Sequence, residues 1–205
     1  AWLPVLARYG VVAELAEIEA MIGKSDQSVL DHFAAQTGIE FPPAILAERQ
    51  EEYFRQAREN LATFPGLFEM LADLAHVPRA VASSGHPDKI SFSLARVGLD
   101  THFDILCSAV EVAQGKPAPD LFLLAAERLG ADPSACTVVE DSVFGIEAAR
   151  RAGMRAIGFT SSHSARDLRT AGAQHIFSSY DEFPPLLATL YFYAFFLKFG
   201  LFAPI

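Results

Sequence analysis

The sequence predicts an α/β fold, a doubly wound parallel sheet carrying a separate helical domain. Two observations carry that prediction. From residue 79 onward, short apolar runs alternate with helical segments of about ten residues, the pattern of a parallel sheet covered on both faces. Before residue 79 no strand-like alternation occurs, and the first third reads as helix throughout. A third observation gives the sheet a purpose. The apolar run before Glu140-Asp141 ends in two adjacent carboxylates, and a small-residue helix follows at once.

The elements follow in order. Residues 11 to 21 form a short amphipathic segment. Ser25 suits the N-cap of a helix reaching about Gln36. Pro42 and Pro43 open a charged helix running to about Leu61. The pattern then predicts strands at 79–83, 103–107, 136–140, 155–159 and 175–177. Between them it predicts helices at 87–97, 117–129, 143–152 and 165–171. Residues 1–64 are expected to form the helical domain and 65–190 the α/β core, with the boundary near Thr63-Phe64-Pro65-Gly66.

Residues 191–205 form an aromatic tail, Tyr191-Phe192-Tyr193-Ala194-Phe195-Phe196-Leu197 being its densest part. Lys198 interrupts it, and Pro184 and Pro185 precede it, so it is too short and broken to span a bilayer comfortably. A run this apolar must be buried, paired with another chain, or prone to aggregate. A packed terminal element is the plain expectation. A dimer contact, membrane attachment or a non-native end are the alternatives.

The chain has 205 residues, of which 51% are apolar, enough for a sizeable core. Its formal charge of −9 disfavours nucleic acid and anionic membranes as partners. Phosphate binding then requires a locally positive pocket. The two cysteines, Cys107 and Cys136, belong to no C-x-x-C pair and are expected as buried free thiols. No basic leader precedes the apolar start, so a cytoplasmic setting is expected, for a monomer or homodimer.

Three strand ends carry the chemistry. Glu140 and Asp141 stand where open α/β sheets bind ligands. Adjacent carboxylates repel unless a cation lies between them, and hard ions such as Mg²⁺ take oxygen ligands of this kind. Asp141 is otherwise an N-cap for the following helix. Gly145, Ala148 and Ala149 let that helix approach the sheet closely. Lys116 lies between Gly115 and Pro117, a fixed loop in which an ammonium would neutralise a nucleophile and a phosphoryl oxygen together; alone it would be an exposed loop lysine. Ser83 ends the first strand, and its hydroxyl with the N–H groups of Ser84 and Gly85 suits a phosphate at a helix start; the rival reading is a simple turn. His86 is either a phosphate contact or a solvated loop residue. Gly23-Lys24-Ser25 is a short basic turn that either closes over a substrate or merely caps a helix.

These pieces together resemble the haloacid dehalogenase-like hydrolases. Ser83 at a strand end, Lys116 in a G-K-P loop and the E-D-S-x-x-G-I-x-A-A run stand in the order of that family's second, third and fourth motifs. The branch most similar contains β-phosphoglucomutase and small sugar-phosphate phosphatases, which carry an early helical cap. The resemblance implies a Rossmann-like core and a two-step phosphoryl transfer through an aspartyl-phosphate. Asp141 would ligate Mg²⁺, with Glu140 as second ligand or outer partner. Lys116 would balance charge at the nucleophile, Ser83 would hold phosphoryl oxygens, and Gly23, Lys24 and Ser25 would contact a small phosphorylated substrate. The family's first motif, an apolar strand ending D-x-D-G, has no match in these 205 residues. Three expectations follow: missing upstream residues, an inactive chain, or the aromatic tail filling the vacant strand position through the strand propensity of residues 191–197.

Overall fold

The structure, a computed structural model, describes residues 1–103 and 105–182 together with the strand at 194–197. Its helical part contains α1 (Trp2–Arg8), α2 (Leu15–Glu19), α3 (Asp26–Thr37) and α4 (Ala44–Asn60). Residues 11–14 are irregular, with Glu14 extended, where the sequence predicts an amphipathic segment. A capping box there, in which Glu14 and Glu17 exchange backbone and side-chain bonds, starts α2 late. Ser25 caps α3 as expected, its Oγ accepting from Ser28 N at 3.2 Å. Trp2, Leu6, Val29, Phe33 and Ile45 bury against one another in a core of their own, each fully buried side chain contributing about 1.5–3 kcal/mol.

Helix α5 (Leu67–Asp73) follows, which the sequence reading passed over, and then the alternating half. This comprises β1 (Arg79–Ser83), α6 (Pro87–Arg96), β2 (Ile105–Ser108), α7 (Asp120–Leu129), β3 (Cys136–Glu140), α8 (Val143–Arg151), β4 (Arg155–Phe159), α9 (Ala165–Ala171) and β5 (His175–Phe177). Helix α7 begins three residues later than expected. Gly115 to Ala118 instead close a turn, with Ala118 N donating to Gly115 O at 3.0 Å. The Lys116-Pro117 peptide is cis.

The sheet order is β2-β1-β6-β3-β4-β5, where β6 is Ala194–Leu197. Every pairing is parallel. Alternate residues serve opposite faces, as the pleat requires. Ala80, Ala82 and Val138 join the core under α7, α8 and α9, while Val81 and Val139 join the one under α5 and α6.

Of the three expectations for the missing strand, the structure shows the last. Strand β6 lies between β1 and β3, pairing Val81 with Leu197 on one side and Val139 with Leu197 on the other. The backbone groups of both neighbours are therefore paired rather than orphaned. The rest of the expected tail element, 191–193 and 198–205, lies outside the described residues. Both cysteines are buried and free, and burial pushes the Cys136 thiol up to about 11. No helix among the described residues is long and apolar enough to cross a membrane.

Candidate active site

Strand β1 delivers Ser83 to the C-terminal edge of the sheet, opposite Ser108 at the end of β2. The chain then turns sharply. Gly85 N donates to Ser83 Oγ at 3.2 Å, and Ser108 Oγ donates to Gly85 O at 2.6 Å, so the neighbouring strand braces the turn. A Cβ on Gly85 would stand in ordinary contact with Ser83 Oγ at 3.5 Å and a little tight against the Lys89 stem at 3.3 Å. Ser84 Oγ donates to Gly23 O at 2.8 Å and ties this turn to the helical domain. His86 is turned outward. It caps α6, its Nδ1 accepting from Asp88 N at 3.4 Å.

Strand β3 ends on Glu140, with Asp141 next. Glu140 has no exposed side-chain surface. Its Oε1 accepts from the Lys116 ammonium, and its Oε2 accepts from Ser142 N at 3.2 Å and Ser142 Oγ at 2.9 Å. Lys116 Nζ also donates to Ala82 O at 3.2 Å and stands 4.7 Å from the centre of the Phe122 ring. A buried charge pair is costly to create unless its hydrogen bonds are satisfied, and here both partners have several. The pair joins the ends of β1 and β3 through the 115–118 loop. Ser142 also caps α8, accepting from Gly145 N at 3.1 Å.

Asp141 is held separately. Its Oδ2 accepts from Ser162 Oγ at 2.6 Å and Ser161 Oγ at 3.1 Å, and His163 Nδ1 lies 3.0 Å from its carbonyl oxygen. Burial, with the charge of Asp141 second, pushes the Tyr180 phenol above its ordinary range. The three residues 161–163 follow β4, a fourth strand end. The sequence reading missed them, although Thr-Ser-Ser-His-Ser after an apolar run was a visible signal.

The helical domain contributes the turn at Gly23. Its φ of 97° is a left-handed conformation that glycine adopts freely. A side chain there would also collide with Ser142, whose Cβ is 2.7 Å from that point. Lys24 Nζ sits 4.7 Å over the Phe144 ring.

These parts enclose a cleft of about 730 Å³. Ser83, Ser84, Gly85, Asp141, Gly23 and Lys24 all line it, joined by Ser161 and Ser162. Four other expected residues do not line it. Lys116 and Glu140 lie behind it as a buried pair, and Ser25 and His86 are spent on helix caps. Glu140, expected as a second metal ligand or an outer partner, has both carboxylate oxygens engaged. Among the described residues no group of three or more His, Cys, Asp or Glu is placed to share a metal ion.

Residues 3–159 match the family described as haloacid dehalogenase-like hydrolase, more than half of the chain. The chain belongs to the haloacid dehalogenase-like hydrolases. Among curated proteins it is 32% identical over 158 residues to fructose-1-phosphate phosphatase YqaB of Escherichia coli (strain K12), covering 77% of this chain and 84% of that one. A solved HAD family hydrolase from Deinococcus radiodurans, with bound phosphate and sodium, is 31% identical at a TM-score of 0.67, covering 92% and 86% of the two chains. A putative β-phosphoglucomutase from Thermotoga maritima is 27% identical at a TM-score of 0.69, covering 92% and 89%. The hydrolase family and the α/β core with parallel strands that the sequence predicts are thus both found.

Proposed function

We propose that this chain acts on small phosphorylated metabolites, sugar phosphates foremost, as a Mg²⁺-dependent phosphatase. One observation supports it most directly: Ser83, the Ser84-Gly85 turn and Asp141 meet on one cleft from strand ends more than fifty residues apart in sequence. Two relatives, named as a fructose-1-phosphate phosphatase and a putative β-phosphoglucomutase, support the same substrate class. A mutase uses the same parts and differs in whether water or a sugar hydroxyl accepts the phosphoryl group.

Each residue has a task in this reading. Ser83 Oγ, which accepts from Gly85 N and so keeps its own hydrogen to donate, holds a phosphoryl oxygen and orients the phosphorus. Asp141 is the residue that would hold Mg²⁺. The donor set fits, because Mg²⁺ is commonly bound through one or two carboxylates with substrate phosphate and water completing its shell. Ser161 and Ser162 fix the Asp141 carboxylate by donating to its Oδ2. When bound, the ion would neutralise charge on the phosphoryl group. Glu140 serves as the outer partner, and Lys116 keeps positive charge at the floor of the site. The turn at Gly23 and Lys24 closes the cleft from the helical side and shields it from water. Two buried free thiols suit a cytoplasmic setting.

A second reading, phosphate binding without turnover, is favoured by a specific observation. The 205 residues hold no D-x-D, and the strand position between β1 and β3 is taken by β6. Release of phosphate from p-nitrophenyl phosphate, with and without Mg²⁺, separates the two. Mg²⁺-dependent release supports the phosphatase. Phosphate binding without release supports the second reading. Neither binding nor release overturns both.

A further inference from the structure

Ser83 is aimed by a turn, and a buried residue outside the cleft holds that turn. Ser83 and Ser108 stand opposite each other at the C-terminal edge of the paired strands β1 and β2. Ser108 is only 2% exposed and does not line the cleft. It therefore acts on a substrate only through another residue. A serine hydroxyl has one hydrogen to give. Here it goes to Gly85 O at 2.6 Å, while Val110 N donates to the same hydroxyl oxygen at 3.3 Å and sets its direction.

Gly85 passes the restraint on. Its carbonyl is held by Ser108, and its N–H holds Ser83 Oγ at 3.2 Å. Glycine has the widest backbone freedom of any residue, so this turn depends on an outside anchor for a single conformation. Accuracy matters at such a place, because a displacement of about 1 Å in a positioning group can cost much of its effect. The anchor is itself tied down from behind. Glu111 Oε2 accepts from Ser108 N at 2.7 Å, and its Oε1 accepts from Arg128 Nη2 at 2.6 Å. Arg128 Nη1 donates to Leu106 O at 3.1 Å, on the same strand as Ser108. Glu111 and Arg128 also lie outside the cleft lining. A relay of hydrogen bonds therefore runs from Arg128 through Glu111, Ser108 and Gly85 to Ser83.

We propose that Ser108 is a positioning residue for the phosphoryl site, and that the Glu111–Arg128 pair behind it sets phosphate affinity from outside the cleft. This rests on the phosphatase reading, which gives Ser83 the phosphoryl oxygen, and adds the residues that aim it. Without the Ser108 hydroxyl, Gly85 O loses its buried donor and the turn settles elsewhere.

Inorganic phosphate is titrated calorimetrically into the full chain and its variants, and the Gly85 backbone amide is followed by heteronuclear NMR. The expected result for Ser108→Ala is phosphate binding about five- to tenfold weaker, the worth of one hydrogen bond, with a displaced Gly85 amide signal. Ser108→Thr keeps a hydroxyl and suits a strand, and should return both readouts close to wild type. Glu111→Gln should weaken binding by a smaller factor. Leu168→Val, a buried change on α9, should lower the melting temperature and leave phosphate affinity unchanged, which separates aiming from general stability. Unchanged affinity in Ser108→Ala, or no recovery in Ser108→Thr, overturns the Ser108 assignment and leaves the phosphatase reading standing. If Ser108→Ala does not fold, Glu111→Gln decides, and its unchanged affinity overturns the relay. A wild-type chain that binds no phosphate overturns the phosphoryl site and this inference with it.

Discussion

The carboxylate of Glu140 fills the space where a side chain on Gly145 would begin. Helix α8 can therefore sit directly over the end of β3 only while position 145 is glycine. The close approach encloses Glu140, and enclosure commits it to Lys116 and Ser142. Gly145→Ala should gain about 1 kcal/mol of helix propensity. It should lose about 3–5 kcal/mol by pushing Glu140 off a buried ion pair. Urea unfolding should show a net loss of about 2–4 kcal/mol; a stabilised variant would mean that the helix shifts freely and the pair is not fixed by it.

Glu52 gives a pH signature in the helical domain. It accepts from Arg55 Nη2 at 2.6 Å, Arg55 Nε at 3.1 Å and Gln56 Nε2 at 2.7 Å. The Arg55 bonds chiefly, opposed by desolvation and aided by Gln56, lower its pKa from 4.5 to about 2. The folded pKa is depressed, so the unfolded chain binds more protons below pH 4.5. The stabilisation is present above 4.5 and fades as pH falls through about 2. Thermal melts followed by Trp2 fluorescence should fall more steeply over that window in wild type than in Glu52→Gln, which should be the less stable of the two at pH 7. Parallel profiles would remove Glu52 as a contributor.

The alternation of apolar runs and helices made the core legible, and so did Ser83 and Asp141, because strand ends in a parallel sheet are fixed by the strands themselves. What escaped depended on tertiary contacts that carry no local period. Ser161 and Ser162 matter only because β4 lies beside β3 and brings their hydroxyls to Asp141. His86 and Ser25 kept two readings in the sequence, since cap residues and ligand contacts share the same short polar chemistry, and in the structure each caps a helix. The tail's strand propensity was readable, whereas the slot it fills was visible only by analogy with the family.

Gly23 is constrained twice, by its φ of 97° and by the nearness of Ser142. Gly23→Ala should cost about 1–2 kcal/mol from the left-handed backbone alone, with a further loss from displacing Ser142. Pairing it with Ser142→Gly removes the collision and leaves the backbone cost, so the double variant should lose less than the sum of the two single losses. Strict additivity of the two in chemical denaturation would indicate that the turn does not rest on Ser142.

Asp141 lines the cleft while Glu140 is locked behind it, so metal affinity should depend on the first far more than on the pair. Two serine hydroxyls hold Oδ2, and losing the stronger one frees the carboxylate to rotate away from its binding pose. Supporting partners of a metal ligand are typically worth about 10–100-fold in affinity. Calorimetry with Mg²⁺ in the presence of inorganic phosphate should therefore give measurable binding for wild type and none for Asp141→Asn. Ser162→Ala should fall between them, weaker than wild type by about tenfold. Asp141→Asn lowers the charge but keeps the shape, so its melting temperature should stay close to wild type and separate lost binding from lost folding. An unchanged Mg²⁺ response in Asp141→Asn would remove the metal from this carboxylate and leave Ser83 with a phosphate site that works by hydrogen bonding alone.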